Sequence, residues 1–337
     1  MKVGLETTPR MRPLTESAPL SRTAKPDPFT HVAIIGPGAV GLCLAVRMAG
    51  APAAPRVTLI DHDAARARRL SARPIRLRSP SGDARADIPV RLAPDAPADL
   101  VILATKAHQA RAAASSAAAW IGRAPLVTIQ NGLGVTAEVA DALPATTVVT
   151  GVTYLAANLL GEGEVCHVAD AVTHLGYEGR PADGTVERVA ELLERSGLPA
   201  RAEADIVPLV WGKLLVNAAI NPVAALAGVR NGEVAVRPAL RAMAEAIAQE
   251  GQAAATAGGV RLPYASAAEA AVETARQTAD NRCSMLQDLE AGRTTEIEYL
   301  NGAIVRAAEA GNVPVPVNRA VTVLVRQVTA AHPGAPS

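Results

Sequence analysis

HVAIIGPGAVGLCLAVRMAG, residues 31–50, followed by RVTLID, residues 56–61, has the pattern of a β-α-β unit. His31 to Ile35 is a short apolar run, rich in β-branched residues and closed by glycine, which predicts a buried strand. AVGLCLAVRMAG then reads as a helix, and Arg56 to Asp61 as a second strand. Two strands joined through a helix pair in parallel. Between the first strand and the helix, Gly36, Gly38 and Gly41 form G-x-G-x-x-G. Gly36 permits the tight turn, Gly38 lets a pyrophosphate approach the backbone, and Gly41 lets the helix pack close on the strand. The free N–H groups at the helix start, those of Ala39 and Val40, then face the phosphates. Asp61 ends the second strand, where its carboxylate can accept from both ribose hydroxyls of NAD. A carboxylate there also repels the extra 2′-phosphate of NADP, so NAD is favoured. His62, Arg66, Arg68 and Arg69 pull the other way if they reach that phosphate, and otherwise form a solvated helix face. The bland alternative is a glycine-rich turn with no ligand.

Beyond this unit, PIRLR, DIPVRLA, DLVILAT and PLVTIQN predict further strands, with alanine-rich helices near 108–121 and 135–142. TVVTGVTYLAAN, GEVCHVA and AVTHLGY, separated by glycine turns, predict an antiparallel extension of the sheet, and a helix over 184–197 closes this half. Beyond Glu203 the strand signal ends. Segments 205–227, 237–257, 263–281, 283–291, 293–310 and 317–331 are helical in period or composition. The expected organisation is an α/β dinucleotide-binding domain over 30–203 and an all-helical substrate and catalytic domain over 204–332. Residues 1–29 carry Pro9, Pro13, Pro19, Pro26 and Pro28 among Thr, Ser and Arg and predict a disordered extension, with organelle targeting as the alternative.

Composition narrows the function classes. In 337 residues, 33 Lys and Arg face 32 Asp and Glu, a formal net charge of +1, so no basic surface for nucleic acid is expected. Cys43, Cys166 and Cys283 are scattered and odd in number, which disfavours a disulfide framework or a zinc site. No stretch approaches the roughly 18 apolar residues of a membrane span. The expectation is a cytoplasmic protein with no membrane partner and no metal.

In DIVPLVWGKLLVNAAINPVAALAG, Lys213, Asn217 and Asn221 stand at i, i+4 and i+8, on one face of a helix otherwise apolar. Buried polar groups left unpaired cost about 1–3 kcal/mol each, so this line needs partners. A polar substrate is one candidate. A structural asparagine network with Lys213 snorkelling to solvent is the other. Farther on, Ile297, Leu300 and Ile304 form the core stripe of a helix, with Glu296 at its edge. From the residues alone, Glu296 reads as a solvated carboxylate before it reads as a ligand contact. Ser284 and Asp288 share a face at i, i+4.

The set GPGAVG, ATKAHQ, QNGLG, VWGKLLVNAAINPVAAL, NGE, SMLQD, TEIEYLNGAIVRAA and GNVPVPVN resembles, in order and over about residues 31–330, the ketopantoate reductase (2-dehydropantoate 2-reductase) family. The resemblance implies a Rossmann-type N-terminal domain, an all-helical C-terminal domain, and an active site in the cleft between them. It implies NAD(P)H-dependent reduction of a 2-keto acid, most simply ketopantoate to pantoate. Lys213 then matches the lysine that protonates the substrate oxygen, and Glu296 the glutamate that hydrogen-bonds the substrate hydroxyl. Ser284 matches the serine that contacts the carboxylate, and Asn217 and Asn221 match substrate-binding asparagines. Asn131 and Lys106 match positions at the cofactor and the cleft. Asp61-His62 departs from the basic residue usual in NADPH-preferring members. That leaves open a dehydrogenase of another branched or aromatic 2-hydroxy acid. A non-catalytic dinucleotide sensor would need only the Gly36 to Asp61 half, and the polar set in the second half argues against it. The expected partner is a small-molecule 2-keto acid, and a homodimer is compatible with this reading.

Overall fold

The computed structural model describes residues 29–80, 82–169 and 171–331. The proline-rich residues 1–28 lie outside the described residues. Phe29, assigned above to the extension, instead belongs to the core, where it is buried.

In chain order the first half comprises β1 (His31–Ile35), α1 (Ala39–Ala49), β2 (Arg56–Ile60), α2 (Ala64–Ser71), β3 (Ile75–Arg78), β4 (Ala84–Ala86), β5 (Val90–Arg91), β6 (Leu100–Leu103), α3 (Ala110–Ala117), β7 (Leu126–Thr128), α4 (Val135–Ala142), β8 (Val148–Thr153), β9 (Ala156–Gly161), β10 (Glu164–Ala169), β11 (Thr173–Gly176), α5 (Gly184–Arg195) and β12 (Ala200–Ala202). The main sheet runs β12-β11-β8-β7-β6-β1-β2-β5. Its central strands are parallel. Both faces are covered, so β1 and β6 are buried along their whole length. Along β1, Val32 and Ile34 join the core containing α1 and α5, whereas Ala33 and Ile35 join the core containing α3 and α4.

The expected antiparallel extension is only partly realised. β8 continues the parallel sheet beside β7, and β11 alone turns antiparallel against it. β9 and β10 leave the main sheet and pair with β3 and β4 as a separate four-stranded sheet, order β4-β3-β10-β9, packed on α1. β3 alternates buried and exposed residues, as a sheet with one covered face requires. Strand periodicity predicts a strand and not its partner.

Among the described residues no strand follows Ala202. The remaining helices are α6 (Val207–Ala227), α7 (Asn231–Val236), α8 (Pro238–Ala257), α9 (Ala267–Gln277), α10 (Ser284–Glu290), α11 (Asn301–Ala310) and α12 (Pro316–Ala331). Helix α7 is unanticipated, and α9 is shorter at both ends than the stretch 263–281. The expected helix over 293–310 begins only at Asn301, so Glu296 sits in a run of turns. That run is held against the first half, which draws it off a helical path: Leu133 N–H donates to Tyr299 O at 3.0 Å. Gly132 makes this approach possible, since a Cβ there would lie 2.4 Å from Tyr299 O and its φ is +105°.

α6 is the core helix of the second half and packs on α8, α9 and α10. By length and composition it is apolar enough to cross a membrane, contrary to the expectation that no stretch comes near, but 72% of that window is buried inside the protein.

Candidate active site

The crevice lies where the sheet order reverses. β1 leads to its helix on one side and β6 to its own on the other, and ligands in open α/β sheets bind at the carboxyl ends of the strands at such a switch point. Gly36 follows β1, Asp61 follows β2, Thr105 and Lys106 follow β6, Asn131 follows β7, and Thr153 closes β8.

The glycine loop fits a dinucleotide. Gly36 has φ +102°, and a Cβ on Gly41 would lie 2.1 Å from Gly36 O, so α1 can start here only with glycine. Gly38 meets nothing within 4 Å, leaving the space above the loop open. It caps α1 without a side-chain hydrogen bond, and no acidic residue occupies the first turn, so the amides of Ala39 and Val40 remain free for an anion. Thr105 Oγ1, beside Gly36, is buried without a protein partner.

Asp61 stands one residue past the end of β2, close to the expected place, but is not an open acceptor. Its side chain is fully covered, with Arg66 Nε donating to Oδ2 at 2.6 Å and Nη2 to Oδ1 at 2.7 Å. Burial acts to raise its pKa, but the Arg66 pair and the Asp63 N–H outweigh this and hold it below the usual carboxylate value. Of the other basic residues nearby, Arg69 pairs with Glu162, and His62 and Arg68 are exposed.

Of the polar line of α6, Lys213 reaches the crevice. Lys213 is half-buried, and its Nζ donates to Thr153 O at the end of β8 and lies 5.5 Å from the centre of the Tyr154 ring. Burial depresses its pKa to about 8, against the opposing pull of the Glu296 carboxylate. Asn217 and Asn221 are half-buried one and two turns farther along, and neither amide has a hydrogen-bond partner among the described residues. The snorkelling alternative for Lys213 therefore gives way to an inward-facing ammonium.

Glu296 is 6% exposed, so the solvated reading from the sequence fails. Its Oε1 accepts from Ala107 N–H at 3.0 Å and its Oε2 from Asn131 Nδ2 at 3.3 Å. A carboxylate has about four lone-pair sites, and these two donors occupy only half of them. Lys106 Nζ pairs with buried Asp288 at 2.7 Å, and Arg293 holds the other oxygen of Asp288 at 3.0 Å. Ser284 is exposed at the start of α10, where the adjacent Cys283 Sγ donates to Asn221 O at 3.5 Å and brings the two segments together. The sequence reading missed Thr153, whose contribution is a backbone carbonyl, and Tyr154, whose ring packs edge-on against His174. It placed Asp288 on the face of Ser284 without anticipating its pairing with Lys106.

Two family models cover most of the chain. Residues 32–179 match the ketopantoate reductase PanE/ApbA model, and residues 205–329 match the ketopantoate reductase PanE/ApbA C-terminal model. A 2-dehydropantoate 2-reductase of Archaeoglobus fulgidus is 38% identical over 231 residues, 68% of this chain and 76% of that protein. One from Halobacterium salinarum is 36% identical over 303 residues, 88% of this chain and 98% of that protein. Among solved structures, a PanE/ApbA family ketopantoate reductase from Ralstonia eutropha superposes with a TM-score of 0.82 at 28% identity, covering 90% of this chain and 99% of that one. Matched in both halves and in fold, this chain belongs to the ketopantoate reductase PanE/ApbA family of oxidoreductases acting on CH–OH groups.

Proposed function

We propose that the crevice reduces the keto group of a 2-keto acid, 2-dehydropantoate first among them, with Lys213 as the general acid. The observation that carries this reading is Lys213 itself, an inward-facing ammonium on α6 whose pKa of about 8 lies near working pH. A bound nicotinamide dinucleotide supplies the hydride that adds to the keto carbon. The proton for the resulting alkoxide comes from Lys213, which stabilises the developing negative charge before giving the proton up. Glu296 accepts from the substrate hydroxyl, Asn217 and Asn221 orient the polar end of the substrate, and Ser284 donates to its carboxylate. Lys106 and Asn131 lie where cofactor and cleft meet, and the Lys106 to Asp288 pair ties the turn after β6 to α10.

Residues 30–203 would hold the dinucleotide through Gly36, Gly38, Ala39, Val40, Gly41 and Asp61, and residues 204–332 would supply the substrate groups. NADH is the favoured form. Arg66 and Arg69 are already paired with Asp61 and Glu162, so a 2′-phosphate would add negative charge beside Asp61 with only the exposed His62 and Arg68 left to meet it. A panel of 2-keto acids including 2-dehydropantoate, assayed with NADH and with NADPH, tests the reading. Reduction of 2-dehydropantoate with the highest kcat/KM supports it, and turnover of none of the acids refutes it.

A further inference from the structure

α6 contains a proline in its interior, Pro222, which has no N–H to give the carbonyl four residues earlier. That carbonyl belongs to Ala218, which is completely buried. It is nevertheless paired, because Asn301 Nδ2 donates to Ala218 O at 3.1 Å. The second hydrogen of the same amide goes to Asn318 Oδ1 at 3.0 Å. Asn318 Nδ2 donates in turn to Ile247 O at 3.1 Å and to Glu250 Oε2 at 2.8 Å. Glu250 also accepts the backbone N–H groups of Val317 and Asn318, both at 2.9 Å. A carboxylate only accepts, so the chain from Glu250 dictates the orientation of both amides, and Asn301 must present its donor to α6. Both asparagines are fully buried.

The placement of this bond ties it to the site. Asn301 follows Glu296 in the same segment and opens α11, while Ala218 and Pro222 flank the stretch of α6 that ends in Asn221. We propose that Asn301 is a positioning residue: its amide replaces the helical hydrogen bond that Pro222 removes, and so fixes the Asn217 and Asn221 face of α6 relative to Glu296. The proposal rests on the reductase reading, since it concerns the convergence of those side chains on one substrate. A reacting group displaced by about 1 Å can lose on the order of 10² in rate, so the loss of this tie should be read in catalysis as well as in stability.

The test is a double-mutant cycle of Asn301→Ala and Pro222→Ala, scored by kinetics and thermal unfolding on the full chain. Alanine at 222 restores an N–H able to donate to Ala218 O, so it should compensate for the missing amide. Asn301→Ala is expected to lower kcat/KM for the keto acid by roughly tenfold or more, mainly through KM, with cofactor Kd unchanged. The double variant should return to within about threefold of wild type, and Pro222→Ala alone should stay there. A folded Asn301→Ala enzyme within about twofold of wild-type kcat/KM, or a double variant no better than Asn301→Ala, overturns the proposal. If Asn301→Ala is too unstable to assay, the double variant decides: soluble and active supports the coupling, insoluble or inactive refutes it. An inactive wild type in the keto-acid panel strikes the functional reading, whereas an active wild type with an unrescued variant strikes only this coupling.

Discussion

Glu296 accepts the backbone N–H of Ala107 at 3.0 Å, so a buried carboxylate of the helical half is seated on the turn that follows β6. Its other oxygen takes the amide of Asn131 on the turn after β7. The two halves meet reciprocally around this point, with Tyr299 packed against the α/β core and Leu133 against the helical core. A carboxylate anchored this way has a defined direction for its remaining lone pairs.

Glu296→Gln is therefore expected to impair both binding and turnover. The amide must set an N–H against one of the two donors that Glu296 now accepts, and an unpaired buried polar group costs about 1–3 kcal/mol. KM for the keto acid should rise by roughly tenfold, with a fall in kcat, because the contact exists in the ground state too. Steady-state kinetics would check this, and an unchanged KM would remove Glu296 from the substrate site.

Cofactor choice is expected to follow Asp61. Wild type should show a lower KM for NADH than for NADPH, and Asp61→Ala should narrow the gap by releasing Arg66 to meet a 2′-phosphate. A wild-type enzyme that uses NADPH about tenfold more efficiently, a difference of about 1.4 kcal/mol, contradicts this.

The pH dependence follows from the pKa of Lys213, depressed to about 8 by burial. Keto-acid reduction needs the ammonium form, so kcat/KM for reduction should be highest below that pKa and fall as pH rises through about 8. Oxidation of the hydroxy acid needs the neutral amine and should rise over the same range. A reduction profile flat to pH 10 argues against Lys213 as the acid; stopped-flow rates in both directions give the comparison.

The parts of this design that are local in sequence were legible there. The glycine loop, its two strands and the Lys213, Asn217, Asn221 line each depend on spacing within a single unit, and the structure forms them as that spacing predicts. The state of Glu296 was not legible, because its donors come from positions 189 and 165 residues away. Without those partners the local pattern reads as a solvated helix edge. The Asp61 to Arg66 pair was half legible: both residues stand out in the sequence, but spacing does not say that the arginine turns back onto the strand end. The departure of β9 and β10 into a second sheet has the same origin, since alternation reveals which residues face a core and not which neighbour supplies the hydrogen bonds.

Whether Lys213 delivers the proton is decided by the kinetics of Lys213→Ala with the keto acid and reduced cofactor, alongside a titration of cofactor binding. General acid catalysis contributes about 10²–10⁴-fold, so kcat should fall by roughly that factor while cofactor affinity in the binary complex stays near wild type. A Lys213→Ala enzyme that keeps more than about a third of wild-type kcat would contradict the account, because a group worth so little lies below the range for a general acid.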